Sequence, residues 1–557
     1  MATLFNVILV ALVLLIAYWW ANQGLFSALL HFLCVVAAGA IALGVWEPLV
    51  VKFLLKGGAF DDYAWGIALI GVFTVTLFVL RFAVDKIVPD NLNVPTWANY
   101  LFGGLFGAGA GVITVGMFMI GGGFLQTSTE VMGFLGVARD KSAAGQPVRL
   151  NTLYPPIHEW TQEFYSFLSD GAFAPTFSRA SLGSMYPSIA DEAVSLHRDS
   201  YKDGGGKSSV SPDGIKVQSM FQCDTCQVPG VSGRGVYSVL LDFDKVAFDF
   251  GEQLTLSCAQ ARLIGAGRRW KQAPTAYPVA WYQVAGDGMQ QFAFDDLSHY
   301  ATSVPGQQSA TIMLVFRMAD LEGAAPEYIQ VKGLRLSLPP QATSIGSIVE
   351  LRAAASGAAV GKPVELAASA PLVAGDFIRV DSTIPMTLSA NQLSGISYVE
   401  DPSAGNALDA GRQNFPKAAA SNVGKQLRIR GIYEPQGTRV VKLDVSRKSS
   451  PIDLYGDRSA AIKKESDDAM PMLVDSSGRG YQPIGYIWER PGEVEISLDP
   501  ANGVSALRDL PSLSSAGTDK LYLVFRITTG TQLRGFVVGD TTLGLCDLTV
   551  PDQNSDR

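Results

Sequence analysis

The chain has 557 residues and a mass of 59.5 kDa, enough for several domains of ordinary size, so no single core has to account for it. Charged residues make up 17% of the sequence and the mean hydropathy is +0.20, which excludes a wholly water-solvated chain and points to lipid as a second solvent. A formal net charge of -8 and a pI near 5.2 provide no footprint for a polyanion, and no nucleic-acid partner is expected.

The apolar excess lies at the front. Residues 1–140 carry five basic groups (Lys52, Lys56, Arg81, Lys86, Arg139) and seven acidic ones (Glu47, Asp61, Asp62, Asp85, Asp90, Glu130, Asp140). Between them run Leu4–Trp20, Leu25–Trp46, Trp65–Leu80 and Tyr100–Phe124. Each is close to the roughly 17–25 residues that carry a helix across hydrocarbon, the third borrowing Tyr63 or Val84. A cleaved signal peptide is the competing reading of the first run. No basic stretch precedes it and a second run follows directly after Ala21-Asn22-Gln23-Gly24, so a retained span is expected. Trp19, Trp20, Trp46, Trp65, Trp97 and Tyr100 fall at run ends, where the headgroup layer suits amphipathic rings.

In the fourth run Gly103, Gly107 and Gly111 share one helical face, beside Gly104 and Ala108. Small side chains at this spacing let backbones approach closely, either within the bundle or as a seam between two copies. His31 and Cys34 sit in the second span. An intramembrane ionisable group is a functional candidate, but one neutral histidine without an acidic partner is expected only to hydrogen-bond locally.

Four spans within about 130 residues, a Gly24-Leu25-Phe26 opening of the second span, a polar Arg81–Asn93 connection and a glycine-rich fourth span resemble the colicin V production (CvpA) family. The resemblance covers about the first quarter of the chain, and the first loop lacks the arginines usual there. It implies a bacterial inner-membrane protein with a role in toxin production or secretion and envelope maintenance. It also places loops one and three inside, and hence the C-terminal region outside the cytoplasm. Basic residues alone, Lys52, Lys56, Arg139 and Lys141 against Arg81 and Lys86, favour the opposite orientation; the resemblance is preferred.

Pro155-Pro156, then Ile157, Trp160, Phe164 and Phe167 at helical spacing, then Asp170-Gly171, predict an amphipathic helix that lies on the bilayer or covers a sandwich. Residues 141–232 are read as this helical segment followed by a linker. Within it, Lys202-Asp203-Gly204-Gly205-Gly206-Lys207-Ser208-Ser209 imitates a phosphate loop, but Tyr201 stands where the first glycine belongs, so a solvated linker is expected.

From Gly233 onward, period-two segments alternate with turn residues, as in all-β sandwiches. Four ordered matches suggest a duplication: Val239-Leu240-Leu241-Asp242-Phe243 with Val441-Lys442-Leu443-Asp444-Val445, Pro278–Tyr282 with Pro483–Ile487, Leu314–Arg317 with Leu523–Arg526, and Leu336–Pro339 with Leu548–Pro551. Strand alternation turns Phe316 and Phe525 inward, and pairs Asp242 with Asp444 as repeated structural acids. The expected fold is therefore multidomain. A four-helix transmembrane bundle (1–140) precedes a mainly-β region with sandwiches at 233–340 and 428–552, which look immunoglobulin-like. A connector or small β unit fills 341–427, and a tail 553–557.

Little catalytic chemistry is legible. Cys223-Asp224-Thr225-Cys226 could be a zinc half-site, a redox pair or a short disulfide loop; an extracytoplasmic location favours the disulfide. Some CvpA relatives carry a trypsin-like protease. Here the candidate bases are His158, His197 and His299, and no Gly-Asp-Ser-Gly or Gly-x-Ser-x-Gly segment provides an activated serine. Arg268-Arg269-Trp270-Lys271 is a basic-aromatic cluster, read as a solvated turn or a contact to an anionic polymer or headgroups. A non-enzymatic, cofactor-free and metal-free anchor for tandem β modules is expected, with the bilayer and an envelope protein or polymer as partners. The alternative is an accessory part of a transporter or channel, disfavoured by spans without buried charge pairs.

Overall fold

A computed structural model describes residues 3–58, 60–88, 95–125, 130–171, 181–249, 253–285, 288–303, 307–359, 364–373, 375–381, 399–401, 405–409, 411–416, 428–430, 438–455, 467–499 and 503–551. The tail 553–557 and much of the connector 341–427 lie outside them.

Four helices are long and apolar enough to cross a membrane: α1 (Thr3–Gln23), α2 (Leu25–Leu49), α3 (Asp61–Ile87) and α4 (Thr96–Gly123). The chain is accordingly a membrane protein. Only Gly24, at φ 90°, breaks α1 from α2, a backbone state that costs glycine little. Asp61, the first residue of α3, accepts the backbone N–H groups of Lys56 and Gly57 at 3.1 and 2.7 Å, tying the preceding turn to the start of a helix longer than its apolar run. The glycine face of α4 is filled by α1. A Cβ on Gly107 would lie 2.9 Å from Trp20 and 3.0 Å from the Ala17 backbone, and one on Gly111 3.1 Å from Val13. This intramolecular contact covers the face on which a seam between copies was considered.

A short hairpin of β1 (Val137–Arg139) and β2 (Pro147–Arg149) leads to α5 (Ile157–Asp170), α6 (Leu182–Met185), α7 (Ile189–Arg198) and the single turn α8 (Tyr201–Gly204). These helices share one apolar core with the spans: Tyr165, Leu182, Ile189, Ala193 and Leu196 pack with Val35, Trp46, Phe73, Ile113 and Phe124.

The first β unit starts earlier than position 233. Its strands are β3 (Ile215–Cys223), β4 (Val236–Asp244), β5 (Thr255–Leu256), β6 (Ala261–Gly265), β7 (Thr275–Ala276), β8 (Pro278–Ala285), β9 (Gly288–Ala293), β10 (Ala301–Thr302), β11 (Ser309–Arg317), β12 (Pro326–Val331), β13 (Leu334–Ser337) and β14 (Thr343–Ser344). A six-stranded sheet in the order β14-β3-β4-β11-β8-β9 faces a four-stranded one in the order β13-β12-β6-β7. Val239, Leu241, Trp281, Leu314 and Phe316 from one sheet meet Leu263, Ala276, Ile329 and Val331 from the other. The connector contains a helix, α9 (Ile348–Ala359), whose Leu351 and Ala355 cover Leu240, Tyr282 and Val315 on the outer face of the larger sheet.

The connector also donates strands to the second unit. Here β15 (Ile378–Asp381), β18 (Gly411–Pro416), β20 (Thr438–Asp444), β23 (Gly485–Arg490), β24 (Glu493–Leu498) and β25 (Lys520–Thr528) form one sheet, in the order β15-β20-β25-β23-β24-β18. The other runs β22-β21-β26-β27, built from β21 (Pro471–Asp475), β22 (Gly480–Tyr481), β26 (Gln532–Val538) and β27 (Thr541–Thr549). A small third sheet joins β16 (Val399–Asp401), β17 (Gly405–Asp409) and β19 (Arg428–Arg430).

The core strand order is the same in both units: β3-β4-β11-β8-β9 corresponds to β15-β20-β25-β23-β24, and β13-β12-β6-β7 to β27-β26-β21-β22. Cross-strand partners refine the register. Trp281 faces Leu314 as Tyr486 faces Leu523, in keeping with the sequence match. Phe316 faces Tyr237, however, whereas Phe525 faces Val441, so Tyr237 corresponds to Val441 and the first match slides by two residues. Asp242 and Asp444 are then not equivalent. A two-residue slip keeps every side chain on its face, which is why the sequence pattern could not detect it.

Candidate functional site

The described residues concentrate their buried polar chemistry where the spans meet the first β unit. Trp46 and Trp65, at the ends of α2 and α3, do not face headgroups. They are buried in an aromatic cluster, Trp46 lying 5.1 Å from Trp65, 5.4 Å from Phe124 and 5.3 Å from Tyr186. Trp19 and Trp97, at the opposite end of the bundle, are exposed.

Around this cluster charges pair across the junction. Glu47, at the end of α2, accepts two bonds from Arg335 of β13, Nε to Oε1 at 3.1 Å and Nη2 to Oε2 at 3.0 Å. The Arg335 guanidinium also lies 4.6 Å from the Tyr328 ring. Glu192 of α7 pairs with Arg262 of β6, whose Nε donates to Gln330 Oε1 at 3.0 Å. Burial pushes the Glu192 carboxyl up against the opposing pull of Arg262, and pushes up the hydroxyls of Tyr186 and Tyr277.

The glycine-rich stretch before β3 is no solvated linker. Lys207, Ser208 and Ser209 are buried, the N–H groups of Ser208 and Ser209 donate to Asp62 Oδ1 at 3.0 and 3.1 Å, and that of Lys207 to Asp249 Oδ1 at 3.1 Å. Asp249 in turn takes Lys332 Nζ at 2.6 Å. The anion held by this Gly-Lys-Ser turn is a carboxylate of the third span.

Helix α5 fills a groove of the bundle. Thr161 Oγ1 donates to Ile157 O at 2.9 Å and Val112 O at 3.3 Å, and the Tyr165 hydroxyl donates to Val35 O and Val36 O at 3.3 and 3.2 Å. Glycine makes the groove: a Cβ on Gly39 would overlap the Tyr165 ring, and one on Gly116 the Thr161 side chain.

Cys223 and Cys226 are joined by a disulfide at the end of β3, buried beside Val228 and Val236, while Cys34, Cys258 and Cys546 are buried free thiols. Arg268, Arg269, Trp270 and Lys271 are exposed on a tight turn, with Lys271 Nζ 2.8 Å from Glu322 Oε2. The structure does not bring the histidines together. His158 on α5 lies edge-on to Phe134 at 5.5 Å, His197 is on α7, and His299 contacts Asp295 at 2.6 Å. His31 stacks on Trp20 at 3.9 Å with its Nδ1 unbonded, and Arg81 lies over the same indole at 5.1 Å. Arg81 also pairs with Asp85 at 2.6 Å, a charge pair within the third span that the apolar runs did not suggest. Among the described residues no three His, Cys, Asp or Glu side chains are grouped to hold a metal ion. A cleft of about 500 Å³ lies between α1 and α4, walled by Phe5, Leu9, Phe118 and Phe134 with Glu130 at its edge.

Glu47, Arg335, Glu192, Arg262, Asp249 and Lys332 were not singled out from sequence. The available signal was a charge set inside an apolar run, as in Gly44-Val45-Trp46-Glu47 and Ala261-Arg262-Leu263-Ile264. Compared with known protein families, with curated proteins and with solved structures, the chain matches none.

Proposed function

We propose that this chain is a non-enzymatic multipass protein of the CvpA type in a bacterial inner membrane, presenting two immunoglobulin-like sandwiches at a fixed height above the bilayer to bind another envelope protein or polymer. The observation that carries it is the junction. A flexible tether would do for a freely diffusing module, whereas the ion pairs from Glu47 and Glu192 to the sandwich, with a core that joins the spans to α5–α7, hold both distance and orientation. The order β3-β4-β11-β8 against β13-β12-β6-β7 agrees with the A-B-E-D and G-F-C sheets of immunoglobulin-type domains, with β7 in the place of an added C′ strand. The second unit leans on the first, Thr529 Oγ1 donating to Gln290 Oε1 at 3.1 Å, so the pair offers one composite surface. An extracytoplasmic location accords with the Cys223–Cys226 disulfide, since such bonds persist in oxidising compartments. A role in toxin secretion or envelope maintenance is part of the proposal through the CvpA resemblance.

The test is crosslinking in intact cells, with the full chain and with one ending before the second unit. Adducts through either β unit support the proposal, and their loss in the shorter chain assigns them to the second unit; no adduct through either β unit overturns it. A reporter fused after Arg557 that is active only in the cytoplasm overturns the orientation.

A further inference from the structure

Two features that looked separate in the sequence, the amphipathic helix and the basic-aromatic turn, meet in space. Helix α5 touches α4 at Val112, eleven residues before Gly123, and α2 at Val36, thirteen before Leu49. At about 1.5 Å per residue these contacts lie roughly 16 and 20 Å from the helix ends. At the level of Gly116 and Gly39, seven and ten residues before those ends, α5 lies about 10–15 Å in, which is inside one leaflet of a hydrocarbon layer about 30 Å thick bounded by the helix ends. Its level is constant, because α2 and α4 run parallel with Phe32 against Gly109, and Ile157 meets Gly116 while Tyr165 meets Gly39. The helix therefore lies crosswise to the spans. Its outer face carries Trp160, Phe164 and Phe167, with Glu163 among them; Trp160 is 47% and Phe167 61% exposed.

The turn of the first β unit closes onto the end of this face. The Trp270 ring is 5.0 Å from Phe167, and its backbone N–H donates to Asp170 Oδ2 at 2.8 Å. This bond holds Trp270 at φ 64°, a left-handed state that bulky residues rarely adopt, with the indole on the aromatic face. The Arg269 guanidinium lies 4.9 Å over the indole, Glu322 engages Lys271, and Arg268 is exposed. Aromatic rings on one face with exposed guanidiniums beside Trp270 match the pairing of acyl chains with anionic headgroups.

We propose that α5 is an interfacial helix whose Trp160 and Phe167 contact acyl chains, and that Trp270 with Arg268 and Arg269 completes a site for the phosphate of an anionic lipid headgroup. This rests on the reading of α1–α4 as spans. The full-length chain is placed in vesicles of phosphatidylcholine with one quarter phosphatidylglycerol, carrying a nitroxide at one introduced cysteine. Leu15→Cys, on the exposed side of α1, reports on the spans; Trp160→Cys and Phe167→Cys report on α5; Val349→Cys, on α9 of the first β unit, is the aqueous reference. All four sites are exposed, so labelling leaves the cores intact. At Leu15, Trp160 and Phe167 collisions with oxygen are expected to exceed those with a water-soluble nickel chelate, and the reverse at Val349. Aqueous behaviour at Trp160 and Phe167 with a lipid-like Leu15 overturns this proposal alone; aqueous behaviour at Leu15 overturns the membrane reading with it. In the headgroup arm, spin-labelled phosphatidylglycerol is expected to be enriched beside the protein over phosphatidylcholine, by about five-fold for each guanidinium. The R268Q/R269Q variant is expected to lose that enrichment, and unchanged enrichment overturns the headgroup site.

Discussion

Glu47 and Arg335, 288 positions apart in the chain, form a two-bond pair in which the carboxylate belongs to a span and the guanidinium to a β strand. Both side chains are mostly shielded from solvent, at 13% and 17% exposure. Removing one partner strands the other charge, which in buried pairs costs about 3 kcal/mol. Arg335→Met is therefore expected to lower the unfolding midpoint of the detergent-solubilised protein, and the double variant E47Q/R335M to recover most of the loss. Additive losses in the two single variants would show that the pair is not coupled.

Packing of α1 on the glycines of α4 predicts a position-specific response to one methyl group. Gly107→Ala pushes into Trp20 and the Ala17 backbone, an overpacking cost of about 1–3 kcal/mol. Gly44→Ala meets nothing within 4 Å and is expected to be neutral or stabilising. Comparing the two variants by thermal unfolding in the same detergent checks this; equal effects would place α1 elsewhere.

Acidification should loosen the helical segment below the β unit. Burial holds His158 below its ordinary value of 6.5, outweighing the opposing pull of Glu159 and Asp191, and burial also lowers His197. The unfolded chain then takes up protons that the folded chain refuses, so this contribution is complete above pH 6.5 and is lost as the pH falls through the folded-state values. The unfolding midpoint is expected to be level from pH 8 to 7 and to fall below about 6.5. His158→Gln should flatten that slope, measured as the midpoint at each pH for both proteins.

The five cysteines divide into one disulfide and three buried thiols. Thiol titration of the denatured, unreduced protein is expected to find three groups, and after reduction five. Five before reduction would remove the disulfide. Cys223→Ser with Cys226→Ser should lose about 2 kcal/mol, the chain-entropy value for so short a loop.

Composition and periodicity alone determined the four long apolar helices, the helix after Pro155-Pro156 and a mainly-β region after them, because each depends on spacing along the chain: apolar length for a span, a period near 3.6 for α5, a period of two for strands. The inward positions of Phe316 and Phe525 follow from the same alternation, and both are buried. Tertiary structure decided what those surfaces meet. Whether Gly107 packs on α1 or on a second copy, whether Trp46 faces lipid or Tyr186, and that Ser208 and Ser209 bind Asp62, depend on contacts between residues far apart in sequence. Such pairs leave no local periodicity. The register of Tyr237 with Val441 was hidden for a related reason: a slip of two residues changes the partner without changing the face.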